Sequence, residues 1–159
     1  MSRIPALGPR GEGWVALQGL LLIAVIAAGL LAGDAWSGSA ELVTRVVGLA
    51  LLAVGVVLAG RGLRDLGGAL TPLPRPRHDA ELVERGIYGY VRHPVYGGLI
   101  VCAFGFALLT ASLLGLLVAC VVAVFFSLKS RREEVWLVLH FSGYAAYRQR
   151  TRRFIPWLY

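Results

Sequence analysis

The sequence predicts an all-α integral membrane protein of about four short transmembrane helices, with an amphipathic C-terminal helix on the cytosolic side. Hydrophobic residues make up 57% of the 159 and charged residues only 16%, where soluble domains average about 45–50% apolar and about 25% charged. The apolar residues are gathered in blocks, as a lipid phase requires. Of the 16 basic residues, 15 lie in three polar segments, 1–13, 61–93 and 129–159.

The first block, Trp14 to Gly33, carries no charge and is long enough for one helix across a hydrocarbon layer of about 30 Å. Its length argues for a retained span rather than a signal peptide. A polar turn from Asp34 to Glu41 leads to the second block, Leu42 to Gly60, where Arg45 lies near enough to the start to snorkel to the interface. Residues 61–93 read as a cytosolic loop. Pro72, Pro74 and Pro76 forbid a continuous helix there, and a short amphipathic helix is expected near Asp79 to Arg85, stopped by Gly86.

From Pro94 to Leu128 no residue is charged. One helix over that run would be about 52 Å long, too long for one crossing, whereas two full crossings need about 40 residues. A hairpin of two short helices turning at Thr110-Ala111-Ser112 reconciles the two. From Lys129 onward the chain reads as a cytosolic amphipathic helix and tail. Glu133, Leu137, His140, Tyr144 and Tyr147 recur at helical spacing, which predicts one shared face.

The turn Asp34–Glu41 and the turn 110–112 hold no basic residue. Both termini and the long loop are therefore expected on the cytoplasmic side, with four crossings. The net charge of +7 follows from this topology and needs no nucleic acid as partner. Cys102 and Cys120 sit in apolar runs and read as small buried hydrophobes. The three histidines are too scattered for a metal site, and His78, in the proline loop, reads as solvated.

Three constellations could carry chemistry. In Tyr88-Gly-Tyr90-Val-Arg92-His93-Pro94-Val-Tyr96-Gly97-Gly98, Pro94 suits the first turn of a helix. Arg92 and His93 then stand at its N-terminus, where free N–H groups and the helix dipole attract an anion. The same pair would equally meet lipid phosphate, with the tyrosines as an interface belt. The second is Arg131-Arg132-Glu133-Glu134, whose carboxylates could bind an ammonium or ribose hydroxyls, or simply pair along the helix. The third is Tyr144, Tyr147 and Arg150. Its arginine could fork onto a carboxylate or phosphate, or sit in a basic tail on anionic lipid.

The order Leu82-Val-Glu-Arg-Gly86-x-Tyr88-x-x-Val91-Arg92-His93-Pro94-x-Tyr96-x-Gly98, then an uncharged hairpin, Glu133-Glu134-x-x-Leu137, and Tyr144-x-x-Tyr147 with Arg150 before Ile155-Pro156, resembles the isoprenylcysteine carboxyl methyltransferase family. Its wider group includes the phospholipid N-methyltransferases. The resemblance covers about Leu70 to Pro156. It implies a single membrane methyltransferase domain using S-adenosylmethionine, with a cytosolic cofactor pocket and lateral access for a lipophilic small-molecule acceptor from the bilayer. On that pattern Tyr88, Arg92, His93, Tyr96, Gly98 and Glu133 or Glu134 hold the cofactor, and Arg150 with Tyr147 faces the acceptor. For an amine or thiol acceptor a base must take the proton, and His140 or a glutamate is the candidate. The family's Phe-Gly, four residues before the first tyrosine, is replaced by His140-Phe141-Ser142-Gly143, which predicts a rotated or shortened helix there. The competing readings are a sterol-type membrane reductase with a nicotinamide cofactor and a non-catalytic membrane scaffold.

Overall fold

A computed structural model describes residues 4–69, 71, 73–76 and 80–155. The described chain is helical: α1 Glu12–Leu31, α2 Ser39–Leu66, α3 Pro94–Leu109, α4 Leu113–His140 and α5 Tyr144–Arg150, with single 3-10 turns at Gly67–Ala69 and Gly86–Gly89. Three of these helices, α1, α2 and α4, are long and apolar enough to cross a membrane, and α3 is a shorter apolar helix of 16 residues.

The expected turn at Thr110–Ser112 joins α3 to α4. Ser112 caps α4 by accepting from Gly115 N at 3.0 Å, and its hydroxyl donates to Ala28 O of α1 at 2.9 Å. The backbone of Asp34 and Ala35 donates to Thr110 O and Ala111 O. Both turns are therefore tied together at one end of the bundle. Arg45, expected to snorkel, is paired there with Glu41 at 2.8 Å and Asp34 at 3.2 Å.

α2 and α3 form the closest packing. Gly48, Gly55 and Gly62 recur every seven residues on α2 and are buried. They face α3 in antiparallel order. A Cβ on Gly55 would lie 2.7 Å from Gly98 O, and one on Gly48 would lie 2.7 Å from Gly105 O. One on Gly62 would meet Val95 and Pro94. Without side chains at these points the two backbones touch, which is how helices pack when lipid removes the hydrophobic driving force between them. A second core joins α1, α3 and α4 around Trp14, Val25, Ala103, Val122, Phe125 and Phe126.

Three expectations are corrected. The hairpin arms are not both short, because α4 runs unbroken for 28 residues to His140. No Gly or Pro lies between Leu116 and Ser142 to stop it, and Lys129, read as the start of a cytosolic helix, is buried with Nζ on Gln18 Oε1 of α1. The single face from Glu133 to Tyr147 is split, because Phe141–Gly143 separates α4 from α5. The amphipathic helix near Asp79–Arg85 is absent from its described part. Residues 80–85 are non-helical, and a 3-10 turn follows at Gly86–Gly89. Gly86 takes a left-handed φ of 61°, and Ile87 N donates to the Asp65 carboxylate at 2.8 Å, which anchors this strap to α2. In addition, α2 continues to Leu66, six residues past its apolar block. Pro72, His78, Asp79 and Pro156 lie outside the described residues.

Candidate active site

The site forms where the N-terminus of α3, the latter half of α4, α5 and the strap converge. The chain after α5 returns to the start of α3 and pairs with it like a short parallel strand. Arg152 N donates to Tyr90 O, Arg92 N to Arg152 O at 2.8 Å, and His93 N to Arg153 O at 2.9 Å. The backbone donors expected to attract an anion at residues 92 and 93 are thus satisfied by the protein itself.

The Arg92 and His93 side chains converge on one carboxylate. Glu134 Oε1 lies 3.0 Å from Arg92 Nε and 3.3 Å from His93 Nε2, with Arg153 Nε at 3.5 Å. Arg92 also donates to the backbone oxygens of Arg148 and Thr151. Glu134 is almost wholly buried, so these charge-assisted bonds replace its lost hydration. Its role here is that of an internal counter-ion.

Glu133 points elsewhere. Its Oε2 accepts the Tyr96 hydroxyl at 2.7 Å, and it lines a cavity of about 150 Å³ together with Tyr88, Arg92, His93, Tyr96, Tyr144 and Tyr147. The apolar part of the wall comes from α2, the proline segment, the strap and the end of α4, through Leu66, Pro74, Leu82, Val83, Leu137 and Phe141. Tyr96 is held flat between His93, stacked at 5.4 Å and 4°, and Phe126 at 4.9 Å, with Lys129 Nζ 4.9 Å from its ring centroid. Tyr147 donates to Tyr88 O at 2.8 Å. Burial raises the Tyr88, Tyr144 and Tyr147 phenols above their usual range, with Glu133 adding to the shift at Tyr88 and Glu134 at Tyr144. All three are therefore neutral donors near pH 7. The Tyr144 hydroxyl is buried and has no hydrogen-bond partner among the described residues, although a buried hydroxyl ordinarily finds one.

Of the residues predicted from sequence, Tyr88, Arg92, His93, Tyr96, Glu133 and Tyr147 are brought together on this cavity. Gly98 is not: it faces Gly55 and Ala59 in the α2–α3 contact. Glu134 lies behind Arg92, on the wall of a second groove. His140 is exposed and borders a separate groove with Trp136 and Arg75. Arg150 is paired with Glu84 of the strap, its guanidinium carbon 5.8 Å from the Tyr147 ring centroid. Sequence reasoning did not single out Lys129 with Gln18, the Asp65 anchor, or Thr151, which accepts Arg92 and donates to Tyr147 O at 2.8 Å. A lone lysine next to an apolar run was the available signal for the first, since a membrane-depth charge needs a partner.

A family model described as phospholipid methyltransferase matches residues 43–143, and the chain belongs to this family. Among curated proteins, the protein-S-isoprenylcysteine O-methyltransferase of Schizosaccharomyces pombe is 32% identical over 112 residues, which cover 68% of this chain and 48% of that protein. The chain thus spans about half the length of that relative.

Proposed function

We propose that this protein transfers a methyl group from S-adenosylmethionine to a lipophilic acceptor at the cytosolic face of a membrane. The observation that carries the reading is the cavity: a carboxylate, a buried unpartnered hydroxyl and a neutral aromatic wall converge in a member of the phospholipid methyltransferase family. These groups fit such a cofactor in kind. Glu133 suits an ammonium or a ribose hydroxyl, Tyr144 has a free donor and acceptor, and Tyr88, Tyr96 and Tyr147 offer rings beside an adenine-like or sulfonium group. What the cofactor supplies when bound is an electrophilic methyl group on sulfur.

The remaining work falls to the protein. Glu134 fixes Arg92 and His93, so the cavity wall is preorganised. Leu82, Val83, Leu137 and Phe141 exclude water, and positioning of this kind is worth about 7–11 kcal/mol in favourable cases. A carboxylate acceptor needs no base. For an amine or thiol the carboxylate of Glu133 takes the proton, in preference to His140, which borders a different groove. Arg150 reaches an acceptor only by exchanging Glu84 for an anionic group on it. Arg150→Lys, which loses bidentate geometry, should then slow turnover about tenfold, some 1.4 kcal/mol, on an anionic acceptor chosen from a panel of prenylcysteines, fatty acids, amino lipids and lipophilic thiols.

The reading is tested by calorimetry of the detergent-solubilised chain with S-adenosylhomocysteine. Binding that weakens in Glu133→Gln supports it, and absence of heat at millimolar ligand overturns it. Four crossings with both termini cytoplasmic belong to the same proposal, with residues 1–159 as one domain. Cysteines at Ser37 and Ser142, in a background lacking Cys102 and Cys120, should be labelled from outside sealed cells at position 37 alone.

A further inference from the structure

The groove behind Glu134 belongs to neither the cavity nor the bundle core. It is lined by Arg131, Val135, Val138 and Leu139 of α4 and by Arg148 and Arg153 from the C-terminal segment. Its volume is about 450 Å³ and it is open to the outside. Glu134 also lines it.

Two independent features say what would fill it. The first is the outer surface of α4. Leu117, Val121, Val124 and Leu128 are exposed at alternating steps of four and three residues, one continuous ridge along an apolar helix. The same steps continue to Arg131, Val135 and Val138, so an acyl chain lying on the ridge ends at the groove. The second is charge. Three arginines, Arg131, Arg148 and Arg153, line the groove with one carboxylate, Glu134, whose Oε1 is already 3.0 and 3.3 Å from Arg92 and His93. Arg148 stands 4.0 Å from it with half its side chain exposed. Arg131 is exposed and has no ion pair among the described residues. The groove therefore carries three guanidinium groups against one carboxylate that Arg92 and His93 also share, an excess of positive charge toward an anion.

We propose that this groove binds the phosphate of an anionic membrane phospholipid, with Arg131 and Arg148 as its principal donors and the α4 ridge beneath its acyl chain. Basic pockets next to membrane helices recognise such headgroups by charge and by the adjoining apolar surface together. The occupant is a lipid rather than a soluble anion, because the groove is continuous with the ridge and Val138 and Leu139 are exposed within it. It is also distinct from the methyl acceptor, since Glu134 and Arg92 stand between this groove and the cavity. The headgroup would sit one carboxylate away from the cofactor wall.

The test uses the full chain in zwitterionic detergent, titrated with short-chain phosphatidylglycerol and followed by native mass spectrometry and thermal unfolding. Retained phosphatidylglycerol and a raised unfolding temperature are expected, with at least tenfold weaker binding in the double variant Arg131→Gln, Arg148→Gln. Both positions are exposed, and the unliganded unfolding temperature reports whether the variant folds. The charge-retaining pair Arg131→Lys, Arg148→Lys should bind within about threefold of wild type. Equal binding of phosphatidylcholine, an equal shift with inorganic phosphate alone, or phosphatidylglycerol affinity unchanged in the double Gln variant would each overturn the assignment. These results are independent of whether S-adenosylhomocysteine binds.

Discussion

The two ends of α3 are built on opposite principles. From Gly98 to Gly105 the helix meets α2 through missing side chains, and the glycines at 48 and 55 let two backbones close to van der Waals distance. At its N-terminus the helix is surrounded by full-sized polar side chains, and Arg92 and His93 are both committed to the Glu134 carboxylate. The seam tolerates no added volume, and the polar cluster tolerates no lost charge. The difference teaches where function can reside. A seam of backbone contacts has nothing to offer a ligand, whereas the polar end can, provided some groups are left unsaturated. Glu133 and Tyr144 are those groups, one residue and one turn away from groups that are fully committed.

Substitutions at the two ends should separate these principles. The largest effect is expected from Glu134→Gln, which strands Arg92 and His93 without their counter-charge. Breaking a buried pair typically costs about 3–5 kcal/mol, so thermal or denaturant unfolding should show severe destabilisation. A variant as stable as wild type would mean the cluster is not structural. Gly55→Leu should follow. Its Cβ alone would lie 2.5 Å from Cys102 Sγ, and overpacking costs about 1–3 kcal/mol. Gly98→Ala should likewise lower stability without a selective loss of S-adenosylhomocysteine affinity. A selective loss would return Gly98 to the cofactor site.

Glu133→Gln should leave the unfolding transition near wild type while weakening S-adenosylhomocysteine about tenfold in calorimetry. Its neighbour Glu134 provides the contrast, and similar behaviour of the two variants would mean that the two carboxylates do not differ in role. The smallest effect is expected at Tyr144. Its hydroxyl has no partner to lose, so Tyr144→Phe should leave stability of the unliganded protein unchanged or slightly raised. If the hydroxyl serves the ligand, affinity should drop by about 1 kcal/mol, the net worth of an ordinary hydrogen bond, or about fivefold. Unchanged affinity would show that Tyr144 only packs.

Much of this was legible in the sequence. The apolar blocks, the uncharged run from Pro94 to Leu128 and the turn at Thr110–Ser112 are one-dimensional signals, because lipid imposes composition and length on any helix within it. The clustering of Tyr88, Arg92, His93 and Tyr96 was legible too, since Pro94 fixes the start of α3 and puts these residues on its approach. Three things were not. Glu133 and Glu134 are adjacent and chemically identical, and only the rotation of α4 against α3 decided which one meets Arg92. The strap at residues 80–85 carries helix-compatible residues, but the Asp65 anchor at Ile87 and the apolar wall offered to Leu82 and Val83 override that propensity. Nor could spacing along the chain reveal that Arg152 and Arg153 return to occupy the backbone donors ahead of α3. Sequence determines what each segment can bury and roughly where it must turn, because those costs are local. Which polar group pairs with which is a contest among distant partners, and the tertiary structure alone decided it.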